Sequence, residues 1–209
     1  MLRKSLIALI DRMCREEPNV NSDNSVSWHA YREAEQLSDP SMVDEFSEFL
    51  NTEKEKKRRA AAYFIVGKLG LKCRSADCAR ILIGAISREK DRYIVSSILD
   101  RLAAIEKPRE VDLSPIFPLL KESKWIVRQS AIGALAKSDS SEAEVEVIAV
   151  LIATSDPNDI ICCNQTLGEI GSMDAIPHIE KNLTSRKRDV KYTANYAVQS
   201  IMARHGVQP

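Results

Sequence analysis

A nine-residue pattern that returns at near-constant spacing constrains this chain more than any other feature. It reads VRQSAIGAL at 127–135 and VKYTANYAV at 190–198, with a branched residue, a base and two alanines at the same offsets. Looser copies are RRAAAYFIVGKLG at 58–70, DRYIVSSILDRL at 91–102 and DIICCNQTLGEIG at 159–171. The aliphatic anchors Val66, Leu99, Leu135, Leu167 and Val198 are separated by 33, 36, 32 and 31 residues. Each copy carries helical periodicity, and a fixed period of this size is the mark of stacked supersecondary units.

A helix precedes every copy, expected over 42–51, 76–87, 114–121, 142–154 and 174–183. The result is five helix–turn–helix units, each with an apolar face too narrow to close a core alone. Stacking on neighbours must bury it. Small residues at Ala62, Ala131 and Ala194 let paired helices approach closely. The fold class expected is all-α, a right-handed α-solenoid of about five helix pairs. Residues 1–38 lie outside the frame and hold two expected helices, 2–16 and 27–37, joined by the polar PNVNSDNS loop. They form an expected N-terminal helical cap, with 39–209 as the solenoid. A partner-binding arm using Trp28 and Tyr31 is the alternative for this segment, while Tyr63 and Phe64 are expected to be buried near the cap.

The stretch LGEIGSMDAIPHIEKNL, followed by VKYTANYAV, resembles the HEAT-like repeats found in phycobilin lyases and many bacterial adaptor proteins. Ala175, Ile176, Pro177 and Ile179 match the first-helix motif of such repeats, and the 127–135 and 190–198 copies match the second. The likeness spans about residues 40–203. Period alone would mislead, because tetratricopeptide and ankyrin repeats have periods of about 34 and 33. Neither W-x-x-L-G-x-x-Y nor T-P-L-H is present.

Thirty basic and thirty acidic residues balance, so no long-range field draws the chain toward polyanions. Nucleic-acid binding is expected to be weak or absent. The distribution is less even, with net charges of −5, +7, −4 and +2 over residues 1–50, 51–110, 111–160 and 161–209. No run approaches the roughly 20 apolar residues of a membrane span. Cys14, Cys73, Cys78, Cys162 and Cys163 form an odd set without CxxC pairs, which suits a reducing cytoplasm. The adjacent pair 162/163 could ligate a soft metal, but buried packing is the favoured reading, and no metal or cofactor is expected.

Catalytic motifs are not found, and His29, His178 and His205 are isolated in sequence. The resemblance implies two enzyme alternatives, a DNA glycosylase or a bilin lyase. Asp100 with Tyr93 is a thin match to the acid and aromatic residues of the first, and the second finds only the repeat. Enzymatic activity is therefore left open, with the balance against it. The frame's second position supplies a basic row, Arg59, Arg92, Arg128 and Lys191, broken by Ile160. Pairing with nearby acids to bridge units is favoured over phosphate contact.

Numbering the frame from its first residue, positions 1, 5, 8, 9 and 12 share one face at 100° per residue, and positions 3, 6, 7 and 10 point away. The latter supply a candidate partner-binding surface of Tyr93, Asp100, Asn164, Gln165, Tyr192, Asn195, Tyr196 and Gln199. The resemblance places second helices on the concave side. The function expected is a non-catalytic protein-binding scaffold or adaptor, a small cytosolic inhibitor of the toxin-immunity kind included.

Overall fold

The computed structural model describes residues 2–206, so Met1 and 207–209, the outer ends of the two expected segments, lie outside it. It is all-helical apart from turns, short 3₁₀ helices and one isolated parallel bridge between Lys107 and Ser138. Helices α1 (Lys4–Met13) and α2 (Val26–Ala34) come first. Five pairs then follow, α3 (Met42–Thr52) with α4 (Lys56–Cys73) and α5 (Ala76–Ile86) with α6 (Arg92–Leu102) being the first two. In the third, a 3₁₀ helix at Phe117–Lys121 precedes α7 (Trp125–Ala134). The fourth joins α8 (Ser141–Ala153) to α9 (Pro157–Ile170), and the fifth α10 (Ile176–Glu180) to α11 (Arg188–Arg204).

Two first helices are shorter than their periodicity suggests. Over 114–121 the amides of Ile116, Phe117 and Leu119 bond three residues back, to Leu113, Ser114 and Ile116. Pro115 and Pro118 lack the N–H groups that an α-helical ladder would need there. In the last unit the expected helix divides into a 3₁₀ turn, Met173–Ala175, and the short α10 with Pro177 in its first turn.

Frame positions 5 and 8 are buried in every unit and 9 and 12 in all but one each, whereas position 1 is buried from the third unit on and is the half-buried Arg58 and Asp91 in the first two. In the third unit the five positions are Val127, Ala131, Ala134, Leu135 and Ser138, all buried. Successive second helices stack on each other, α4 on α6, α6 on α7, α7 on α9 and α9 on α11. One contiguous apolar core results, running from Leu2 to Ile201. Polar bonds stitch the same seam. Ser96 and Ser130 hydroxyls meet at 2.8 Å, and Thr166 Oγ1 donates to the Ile132 carbonyl at 3.1 Å. The backbones of α9 and α11 approach closely at Gly168, where an added Cβ would lie 3.2 Å from the Ala197 Cα. A side chain there would wedge α9 from α11.

The N-terminal helices join this core, since Leu6, Leu9, Ile10 and Met13 of α1 are buried and α1 packs on α2 and α4. Tyr31 meets Phe64 of α4 edge-on, with centroids 4.9 Å apart. Tyr63 is buried and Phe64 half-buried.

Ala131 has no exposed surface. Ala131→Asp places an unpaired carboxylate between helices and should cost more than about 3 kcal/mol. Thermal melting checks this, and an unchanged midpoint would show that position 5 is not an interior position.

Candidate functional site

The four bases of the row have different surroundings. Arg59 Nε donates to Glu89 Oε1 at 2.6 Å and Nη2 to Oε2 at 3.1 Å, while Nη1 holds the Lys54 carbonyl at 2.6 Å. Arg128 repeats the arrangement two pairs further on. Its Nε donates to Asp159 Oδ2 at 2.8 Å and its Nη1 to the Glu122 carbonyl at 2.8 Å. Both acids belong to the following unit, and both side chains are only 3% exposed. Each accepts further bonds, Glu89 from the Tyr63 hydroxyl at 2.8 Å and Asp159 from Gln129 Nε2 at 3.1 Å. These two arginines are bolts between units. Arg92 and Lys191 are exposed and pair with no acid among the described residues. The Arg92 guanidinium lies 4.9 Å from the centroid of the Tyr93 ring and donates to its hydroxyl at 3.1 Å.

Of the eight candidate partner-binding residues, Tyr93, Asp100, Gln165, Tyr192, Asn195, Tyr196 and Gln199 are exposed. Asn164 is not. It has no exposed surface, and its Nδ2 donates to Thr193 Oγ1 at 3.2 Å and to the Val190 carbonyl at 3.4 Å, so it belongs to the seam between α9 and α11. The reason is its frame position. Position 6 is buried as Tyr63, Ser96 and Ile132 too, because the next unit covers it, and it is exposed only as Asn195 of α11.

The repeated arginine bolt and the stacked frame are features of a repeat architecture, and comparison with known proteins gives it a family. Residues 113–199 match the family model described as HEAT repeats. That segment is a run of HEAT repeats. A designed armadillo repeat protein shares the fold with a TM-score of 0.58 at 14% identity, over 93% of this chain and 98% of that one. An engineered protein of known crystal structure gives 0.59 at 16% identity, over 96% and 98%. No curated protein matched the sequence.

Within and ahead of the HEAT run, several side chains that could carry chemistry are held in the packing. Burial pushes the Cys78 and Cys162 thiols up to about 11, and raises Cys163 as well, so all three are protonated at neutral pH. Lys107 is buried and its ammonium is destabilised, to a pKa of about 7, yet Nζ is held by the Leu102 and Ile105 carbonyls at 2.7 and 2.6 Å. It closes the C-terminal end of α6 as a capping base does. His29 Nε2 contacts the Asp23 carbonyl at 2.8 Å.

Trp125, 62% exposed at the start of α7, is not among the candidates read from the repeat frame. It precedes the first frame residue by two and so falls outside the wheel. Its signal was an aromatic residue directly after Lys124 at a helix start, beside Tyr93 in the preceding unit.

Glu89 titrates below the ordinary glutamate value because of Arg59 first and Tyr63 next, against the cost of burial. A depressed folded pKa contributes stability that is complete above the ordinary value near 4.5 and lost as pH falls through the lower folded value. Arg59→Met removes the cation and leaves a buried carboxylate, which should cost about 3 kcal/mol at neutral pH. Burial alone then raises the Glu89 carboxyl above its ordinary value, so the cost should shrink as pH falls and the carboxyl takes up a proton, flattening the part of the acid limb that Glu89 contributes. Urea unfolding from pH 7 to 3 measures both, and an unaltered midpoint and limb would show that the bolt carries no load.

Proposed function

We propose that this chain is a non-catalytic protein-binding scaffold, an adaptor or small inhibitor of the immunity kind, that engages its partner along the solvent-facing side of its second helices. The observation that carries this reading is a set of large aromatic side chains held out of the core on a rigid stack. Tyr93, Tyr192 and Tyr196 are 60%, 70% and 52% exposed, and Trp125 stands beside Tyr93. Tyr93 and Tyr192 occupy the same frame position in the second and fifth units, which supports their presentation on a common side. Tyr and Trp offer large contact area with few rotatable bonds, which makes them the usual anchors of interfaces.

A concave placement of this surface is part of the proposal, as is the role of residues 1–38 as a cap that seals the first pair. The burial of Leu6, Leu9, Ile10 and Met13 supports the cap. Five free thiols suit a cytoplasmic setting. No helix among the described residues is long and apolar enough to cross a membrane.

Quantitative affinity capture from native lysate tests the reading. The double variants Tyr93→Ala/Trp125→Ala and Tyr192→Ala/Tyr196→Ala should each melt like the parent. At least one should lose tenfold or more of a specific protein, equivalent to about 1.4 kcal/mol. If enrichment falls only in step with melting temperature, the rings are packing elements and the reading fails.

A further inference from the structure

We infer that the cleft between the N-terminal ends of α6 and α7 receives an acidic peptide segment that carries an apolar anchor residue. This rests on the protein-binding reading and names the chemistry of the partner. The cleft has a volume of about 390 Å³, within the usual range for ligand pockets. Its floor is aliphatic, formed by Ile86, Val95 and Val127, each nearly buried yet lining the opening. Lys90, Arg92 and Lys124 stand at its rim, all exposed and none paired with an acid among the described residues. A second hollow of about 160 Å³ shares Arg92 and Lys124 with the first and adds the faces of Tyr93 and Trp125. An apolar floor under uncommitted cations fits a side chain inserted between carboxylates.

The two acids that line the cleft offset only part of that rim, since Lys90, Arg92 and Lys124 face one carboxylate, Glu122, that is not already paired with an arginine. Glu89 is committed to Arg59 and Tyr63. Glu122 Oε1 accepts from the Ser123 hydroxyl at 3.0 Å and the Lys124 amide at 3.2 Å, closing the turn before α7. Three like charges in one place attract carboxylates and speed encounter, and the Arg92 fork can bind a carboxylate with two parallel donors.

Charge complementarity favours a peptide over a nucleic acid. A phosphate backbone followed across units needs a continuous row of free cations. Arg59 and Arg128, on either side of Arg92 in the row, are consumed by Glu89 and Asp159. The free charge is therefore local, and its floor is greasy.

The test uses fluorescence anisotropy near 0.15 M salt, where exposed charges are screened beyond about 8 Å. The probes are a short labelled Asp/Glu peptide with two central leucines, the same peptide with serines in place of the leucines, the same peptide with lysines in place of the acids, and single-stranded and duplex DNA. The leucine-bearing acidic peptide should bind saturably. The other two peptides, and the variant Arg92→Ala/Lys124→Ala, should each reduce affinity at least tenfold, with unchanged melting. Lys191→Ala, outside the cleft, should have no effect. Absence of saturable peptide binding, tighter binding of DNA, or self-association that requires Arg92 would overturn the inference. If it is overturned while aromatic-dependent partner capture persists, the broader reading stands and only the acidic chemistry is wrong. Loss of both defeats both.

Discussion

The burial of one second helix against the next is the interaction on which the whole molecule depends. No unit encloses enough apolar surface to hold its own helices together, and what each lacks is supplied by its neighbour. Ala131, Ala194 and Gly168 make that supply possible, because small groups at the crossing let backbones come close enough for the branched residues around them to meet. The inter-unit hydrogen bonds, Ser96 to Ser130 and Asn164 to Thr193, lie in the same seam. Each leaves fewer buried polar groups without a partner, and each is correct only in one register.

The arginine bolts act on the same seam from its wetter side. A buried acid is costly unless a cation and further donors hold it, and Glu89 and Asp159 each have both. Where the following unit offers no such acid, the base is left free. Arg92 is that case, and the exposed cations and aromatic rings around it are what remains after the stack has satisfied its own needs. On the proposed reading, structure and recognition use the same frame position in different units. That division leaves the unpaired basic charge local and not a uniform stripe.

Much of this was legible in the residues. The five pairs, the inward positions and the span of α3, α5 and α8 follow from periodicity and spacing, since a strong apolar repeat leaves a helix few alternatives. The third and fifth first helices were overestimated, because proline changes the hydrogen-bond ladder without disturbing the apolar pattern. Asn164 was assigned to the outside because a single-helix wheel separates core from remainder, and it cannot tell which part of the remainder the next unit will cover. Glu89 lies in a connection outside the frame, so its pairing with Arg59 had no repeat signal. Trp125 lies ahead of the frame and was lost in the same way.

Native-state hydrogen exchange on Gly168→Val tests the shared-core account most directly. The added side chain must push on the Ala197 backbone, so it should weaken the α9–α11 seam rather than either helix alone. The account predicts that amides of α9 and α11 lose protection together while those of α4 to α6 retain it. Loss confined to α9, with α11 as protected as before, would show that the last pair holds itself together and would contradict the claim that neighbouring units share their core.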